Sequence, residues 1–351
     1  MLASITHILP LTTIRRERYL PASGRLLVRK GQKVSTTDVV GEAKVNAEHL
    51  LLDVVRGLGL PVSKVDRHIQ CKAGNRVLQD DVLAGPVGLT KRVVRAPRSG
   101  RVILAGDGQV LLELESPPME LKAGLPGVVI DLLEDRGVVI ETTGALIQGV
   151  WGNGCIDYGL MFVLARSPDD ILTTDRLDVS LRGSLVMGGY CEDADVLKTA
   201  ASLPIRGLIL ASMEPELVPL AASMSFPIIV IEGFGRLSMN SAAFKLLSTN
   251  DQREVSLNAE QWDRFSGTRP EIIIPLPAPG EPALPPDADM FTAGQQVRIV
   301  QASHKSEIGT IMELRPGMTV LPSGIQALSA EIRLESGENV VLPLANLEVL
   351  E

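Results

Sequence analysis

The chain has 351 residues and a formal net charge of −8, with 45% hydrophobic and 22% charged residues. Those proportions exclude a disordered chain, and the length exceeds one ordinary hydrophobic core. Aromatic residues make up only 3%, too few for the stacking platforms that hold single-stranded nucleic acid.

The first eighteen residues, MLASITHILPLTTIRRER, put their charges after the apolar stretch, the wrong order for a secretory signal. No run of 18 apolar residues occurs anywhere, so no membrane insertion is expected. A repeat follows. Gly31-Gln-Lys-Val-Ser-Thr-Thr-Asp38 reads against Gly74-Asn-Arg-Val-Leu-Gln-Asp-Asp81, each continued by Val and a further aliphatic residue. Glycine turn, short strand, aspartate-anchored turn and second strand is the local structure this pattern dictates. Between the repeats, residues 45–60 carry apolar positions three and four apart and predict a helix. Ala96–Val102 and Gly108–Glu115 continue the β pattern.

These residues resemble the biotinyl/lipoyl-like barrel-sandwich hybrid over about residues 20–150. A carrier of that family bears its cofactor on a hairpin-tip lysine. Lys44 and Lys91 are the nearest positions, but neither has the Met-Lys-Met or Asp-Lys surroundings of a carrier. No cofactor is therefore implied.

The densest basic run is Lys91, Arg92, Arg95, Arg98 and Arg101. It falls in a basic segment: residues 1–125 hold 19 Lys/Arg against 12 Asp/Glu, whereas 126–290 hold 11 against 23 and 291–351 hold 4 against 7. Any polyanion would meet the chain there. A solvated edge that discourages strand pairing is the alternative use of the run.

Gly127–Leu133 and Gly137–Thr142 read as strands. The glycines of 149–154 mark bends, and no Gly-Lys-Ser/Thr follows them, which excludes a P-loop. From residue 181 strands and helices alternate. Ser184–Met187, Gly207–Ala211 and Pro227–Ile231 are buried-strand runs. Glu192–Leu203 and Asn240–Ser248 are helical by pattern, and Ser212 is the expected cap of a helix between them. The segment resembles a swivelling or Rossmann-like α/β module. Ligands of such sheets sit beyond the strands' carboxyl ends, here Gly188, Gly189, Ser212 and Glu232. Cys191 has no histidine nearby in sequence, and Cys71 and Cys155 are equally isolated, as for reduced thiols in a cytoplasm.

Residues 269–289 contain seven prolines in 21 positions and predict an extended spacer unable to occupy a sheet centre. Beyond it, Val297–Val300, Ile308–Leu314, Ser329–Glu335 and Val340–Val349 read as short strands. This stretch resembles the KOW motif of an SH3-like barrel, with Gly309 in a tight turn. Such barrels touch RNA or protein, and Arg298, His304 and Lys305 are the matching contact positions.

The expected fold is multidomain and mainly β with a small α/β module. Residues 1–180 form a barrel-sandwich hybrid region, 181–268 a βαβαβ parallel-sheet module, 269–289 the linker and 290–351 the SH3-like barrel. The expected function is a non-enzymatic binding or scaffold protein contacting a protein complex. Nucleic-acid binding through the 91–101 run and the barrel is one alternative. An enzyme or carrier using the α/β module, Lys44 or Lys91 is the other.

Overall fold

The computed structural model describes residues 2–350, except 45–47, 89–90, 116–117, 264–266, 281, 287 and 301–306. The chain is mainly β, in several sheets with five short α-helices among the described residues. No helix among those residues is long and apolar enough to cross a membrane.

The spine is a sheet whose order runs Trp151–Gly152, Ile228–Phe234, Gly207–Met213, Leu185–Met187, Ile156–Val163, Glu254–Asn258, Glu271–Pro275, Gly137–Gln148, Gly127–Leu133, Lys33–Val34. Gly137–Gln148 has apolar runs at both ends and is buried along much of its length. It pairs antiparallel with Ile8–Tyr19, from Gly137 opposite Tyr19 to Ile147 opposite Ile8. Ile156–Val163, Leu185–Met187, Gly207–Met213 and Ile228–Phe234 are mutually parallel. Leu185–Met187 and the first halves of Gly207–Met213 and Ile228–Phe234 are apolar and buried because both faces are covered there. On one face lie the helices Ala194–Ser202 and Val218–Ala222, over Leu208, Leu210, Ile228 and Val230. On the other, Ser241–Thr249 packs on Ile209, Ile229 and Ile231. Each such side chain, fully withdrawn from water, contributes roughly 1.5–3 kcal/mol.

The internal repeat is realised bond for bond. Gly31 N donates to Val129 O and Gly74 N to Val102 O; Val129 N donates to Gln32 O and Val102 N to Asn75 O. Asp38 accepts from Ser35 N at 2.8 Å, and Asp81 from Leu78 N at 2.7 Å. Ala123 N closes on Asp38 O, and Ala96 N on Asp81 O. The second unit is inserted within the first: its partner segment, 96–102, precedes 123–129 in the chain. Each unit has its own core, one around Val40, Leu121 and Val129, the other around Leu83, Val102 and Leu112.

Several expectations require correction. The helix over 45–60 is mostly a strand, because His49–Asp53 pairs with Gln109–Leu114; helix begins only at Val54 and ends at Leu58. Residues 45–47 lie outside the described residues. The boundary at 180 runs through one sheet, since Ile156–Val163 pairs with Leu185–Met187. The proline-rich stretch does hold a sheet centre: Glu271–Pro275 lies between Gly137–Gln148 and Glu254–Asn258. Pro270 and Pro275 bracket that strand, so the N–H groups between them remain available to the ladder.

The C-terminal sheet has the order Ala288–Met290, Leu2–Thr6, Leu347–Leu350, Gln296–Ile299, Ile308–Val320, Gln326–Leu334, Asn339–Pro343, and this order does not close on itself among the described residues. It is no tethered unit. The N-terminal strand Leu2–Thr6 runs parallel to Leu347–Leu350 inside it. Ile308 and Leu350 also enter the core formed by Ile209, Ile231 and Ala243.

Candidate functional site

The expected ligand positions of the α/β module are filled by protein. A Cβ on Gly189 would stand 1.9 Å from Asp170 O, and one on Gly188 2.8 Å from the Leu172 side chain. These glycines let the 170–172 segment lie on the strand end. Ser212 is a strand residue, not a helix cap. Its hydroxyl donates to Leu237 O and accepts from Leu237 N, so it is consumed inside the fold. The following helical turn starts at Pro215.

Glu232 is buried. One carboxylate oxygen accepts from Asn240 N at 2.8 Å and Asn240 Nδ2 at 2.6 Å. The other lies 3.0 Å from Arg298 Nη2. Arg298, expected as an exposed contact, is thus an internal cation, with Glu348 3.8 Å away on its second side. Glu348 in turn receives Arg269 at 2.9 Å. The network joins the parallel sheet to the C-terminal sheet.

Cys191 is also buried, and that burial pushes the pKa of its thiol up to about 12, with Glu192 adding to the rise and the hydrogen bond to the Asp193 backbone opposing it. Burial raises Cys71 and Cys155 too. A thiol that stays protonated is a poor nucleophile.

The basic run does not form one surface. Arg92–Arg95 belongs to a two-stranded ribbon with Val82–Val87, whereas Arg101 sits on Gly100–Gly106 in a different sheet. The Arg92 guanidinium lies against Gly59, at the carbonyl end of the helix Val54–Leu58. Arg95 donates to Asp80 O at 2.7 Å, and Arg98 pairs with Glu48 at 2.8 Å. All five side chains of the run are exposed. Lys91 follows the ribbon's turn with a φ of 48°, and Lys44 directly follows the strand Val39–Ala43. His304 and Lys305 lie outside the described residues.

Gly309 is a strand residue, not part of a tight turn. A Cβ there would come within 2.5 Å of Ile332 Cγ2 and 2.8 Å of Arg333 O, so the neighbouring strand is what excludes a side chain.

The most prominent surface is the hairpin of Ile308–Val320 and Gln326–Leu334. Gln296–Ile299 covers only residues 308–310 of its first strand, and Asn339–Pro343 only 329–333 of its second. Beyond these limits it is a two-stranded arm. Ala330, Ile332 and Leu334 point into the core. Alternation then puts Leu328 on the same face, and the register adds Leu314 opposite Ala330 and Met318 opposite Leu328. Val320, two residues past Met318, shares that face. Along the arm this face is uncovered: Met318 is 60% exposed, Val320 63% and Leu328 43%, with Ile325 at 63% in the turn. The charges lie elsewhere, where Arg315 closes on Glu331 at 2.6 Å.

The sequence marks this arm only weakly. The strand pattern breaks at Pro316-Gly317, which reads as a stop. In the fold it is a bulge on an edge that pairs with no strand among the described residues, with Gly317 at a φ of 71°. The period-two spacing of Met318 and Val320 beyond the break was the signal that could have extended the strand.

The chain matches no protein-family model, and no curated protein sequence matches it.

Proposed function

We propose that this chain is a non-enzymatic binding or scaffold protein whose rigid β body holds the C-terminal arm toward a protein complex. The observation that carries this reading is the uncovered face of Leu314, Met318, Val320 and Leu328, which continues a core-forming face outward with no charge among those side chains. Contiguous exposed apolar surface of this kind marks a protein contact. The body behind it is stitched by Arg–carboxylate pairs between distant segments: Arg16 with Glu271, Arg18 with Glu260 and Arg298 with Glu232. On this reading the C-terminal sheet is an SH3-like KOW module, and the nested repeat units are barrel-sandwich hybrids without a carrier role. Nucleic-acid binding has less support, because the basic run is split between two sheets, Arg98 already faces the carboxylate of Glu48, and Arg298 is sealed inside.

The test is quantitative affinity capture from the source cells with the intact chain and with a Met318→Lys/Leu328→Glu variant, whose opposite charges face each other across the hairpin. The expected result is loss of the stoichiometric partners by the variant, with an unchanged melting transition because both side chains are already solvated. Identical partner sets for the two proteins would remove the arm from the binding surface.

A further inference from the structure

The inserted repeat unit carries a sheet that is apolar on both faces. Its strand order is His49–Asp53, Gln109–Leu114, Gly100–Gly106, Arg76–Val77. One face is the unit's core, built from Val102, Val110 and Leu112 with Leu50 and Leu52 against them. Alternation sends their neighbours to the other face. There Leu51 lies opposite Leu111, and Leu111 opposite Leu104, in one row across three strands. A bulge between Val102 and Leu104 sets Ile103 beside that row. An antiparallel sheet with one solvated face alternates apolar with polar residues. These strands instead run Leu50-Leu51-Leu52, Val110-Leu111-Leu112 and Val102-Ile103-Leu104, the pattern of strands covered on both sides. Yet Leu51 is 55% and Leu104 54% exposed, and Leu111 between them is only half-buried.

The flanks of the row define what fits it. On one side the same face carries Arg101, Glu113 and His49 in register; on the other it carries Gly106, Gln109 and Asp53. A second copy turned about a two-fold axis along the row sets His49 against Asp53, Glu113 against Gln109 and Arg101 against Gly106. Each leucine then meets its own counterpart, and no like charges face each other. The same rotation reverses the strands, so the two sheets stack with their strands aligned, as in a sandwich. A two-fold along the strands would instead oppose Glu113 to itself. The face is therefore self-complementary in one arrangement, which is what a two-fold interface requires.

We propose that this leucine row is the interface of a two-fold dimer of the chain, with Leu51, Leu104 and Leu111 each packed on its counterpart. Three strands by five residues span roughly 14 by 17 Å. That is short of the about 800 Å² per partner of a standard stable interface. The dimer is accordingly weak and concentration-dependent, with its midpoint in the micromolar to millimolar range. The row lies on a different sheet from the C-terminal arm, and the proposal stands or falls independently of the arm's role.

Sedimentation velocity on the full chain, from micromolar to millimolar concentration, tests it. The expected result is a rise in mass from one chain to two. Leu51→Glu and Leu51→Lys should each weaken association at least about tenfold, because the two-fold brings like charges face to face. Both should melt like the parent, since Leu51 is already exposed. An equimolar mixture of the two variants should associate again, because glutamate then meets lysine. Leu104→Glu and Leu104→Lys repeat the measurement two strands away, and decide it where the Leu51 variants fold poorly. The proposal is overturned if the chain stays single at every concentration, if the charged variants associate like the parent, or if their mixture does not recover. Association lost in the Met318→Lys/Leu328→Glu variant but kept in Leu51→Glu would move the interface to the arm and equally overturn it.

Discussion

Arg298 Nη2 and Glu232 Oε2 lie 3.0 Å apart, and both side chains are almost sealed from water. Removing two charges from water costs several kcal/mol each, and mutual attraction recovers this only with good geometry and further partners. Glu232 has those partners in Asn240, whereas Arg298 makes no hydrogen bond among the described residues and has only the charge of a second carboxylate, Glu348, 3.8 Å away. The pair spans two sheets that are far apart in sequence. It also explains why a carboxylate at a parallel strand's carboxyl end is no general base here: its charge is committed to a permanent internal cation.

Breaking this pair from one side leaves a charge stranded. Glu232→Ala should destabilise the chain by about 3–5 kcal/mol, the usual cost of an orphaned buried ion. Glu232→Met combined with Arg298→Met should cost much less, because no charge then remains inside. Urea unfolding midpoints of the three proteins decide this. A double variant as unstable as the single one would show that the ionic character itself holds the two sheets together.

Much of the β frame was legible in the sequence because its signals are local. The repeat at Gly31 and Gly74 announced two like units, and the aliphatic runs at 207–211 and 227–231 announced a buried parallel sheet. What stayed hidden was long-range pairing. Nothing near Leu2–Thr6 says that it will run beside Leu347–Leu350. Glu271–Pro275 was obscured by its flanking prolines, although the residues between them keep their N–H groups. Helical spacing misled at His49–Asp53, where a cross-strand partner overrode local preference. At the candidate sites, Glu232 and Arg298 were both singled out, yet sequence order could not show that each is the other's partner.

The nested repeat makes a paired prediction. Asp38 and Asp81 each hold the turn of their own unit by accepting from an amide three residues upstream. Asp38→Ala and Asp81→Ala should each cost about 0.5–1.5 kcal/mol, the net worth of a typical hydrogen bond, since both bonds are exposed. The two sites lie in separate cores, so the costs should add within a few tenths of a kcal/mol. Denaturant melts of both singles and the double check this. Strong non-additivity would mean that the inserted unit and its host share one cooperative core.

The last prediction concerns acid. Arg18, itself buried, donates from Nη1 and Nη2 to the two oxygens of Glu260 at 2.5 and 2.6 Å. Burial pushes the Glu260 carboxyl up, but the hydrogen bonds and charge of Arg18, with one bond from Asn258, outweigh it and leave the carboxyl below its usual range. The folded value is therefore lower than the unfolded one, which is about 4.3 for glutamate. Around that pH the unfolded chain binds the extra proton. The stabilisation is present above the unfolded value and is lost as pH falls through the folded one. Glu260→Gln should accordingly be less stable at neutral pH by about 1.5–3 kcal/mol, the size of a charged hydrogen-bond set. That gap should narrow below about pH 4 and close once Glu260 of the parent is protonated. Urea melts of both proteins between neutral and acid pH measure it. A gap that stays constant across the range would show that Glu260 acts through packing rather than through its charge.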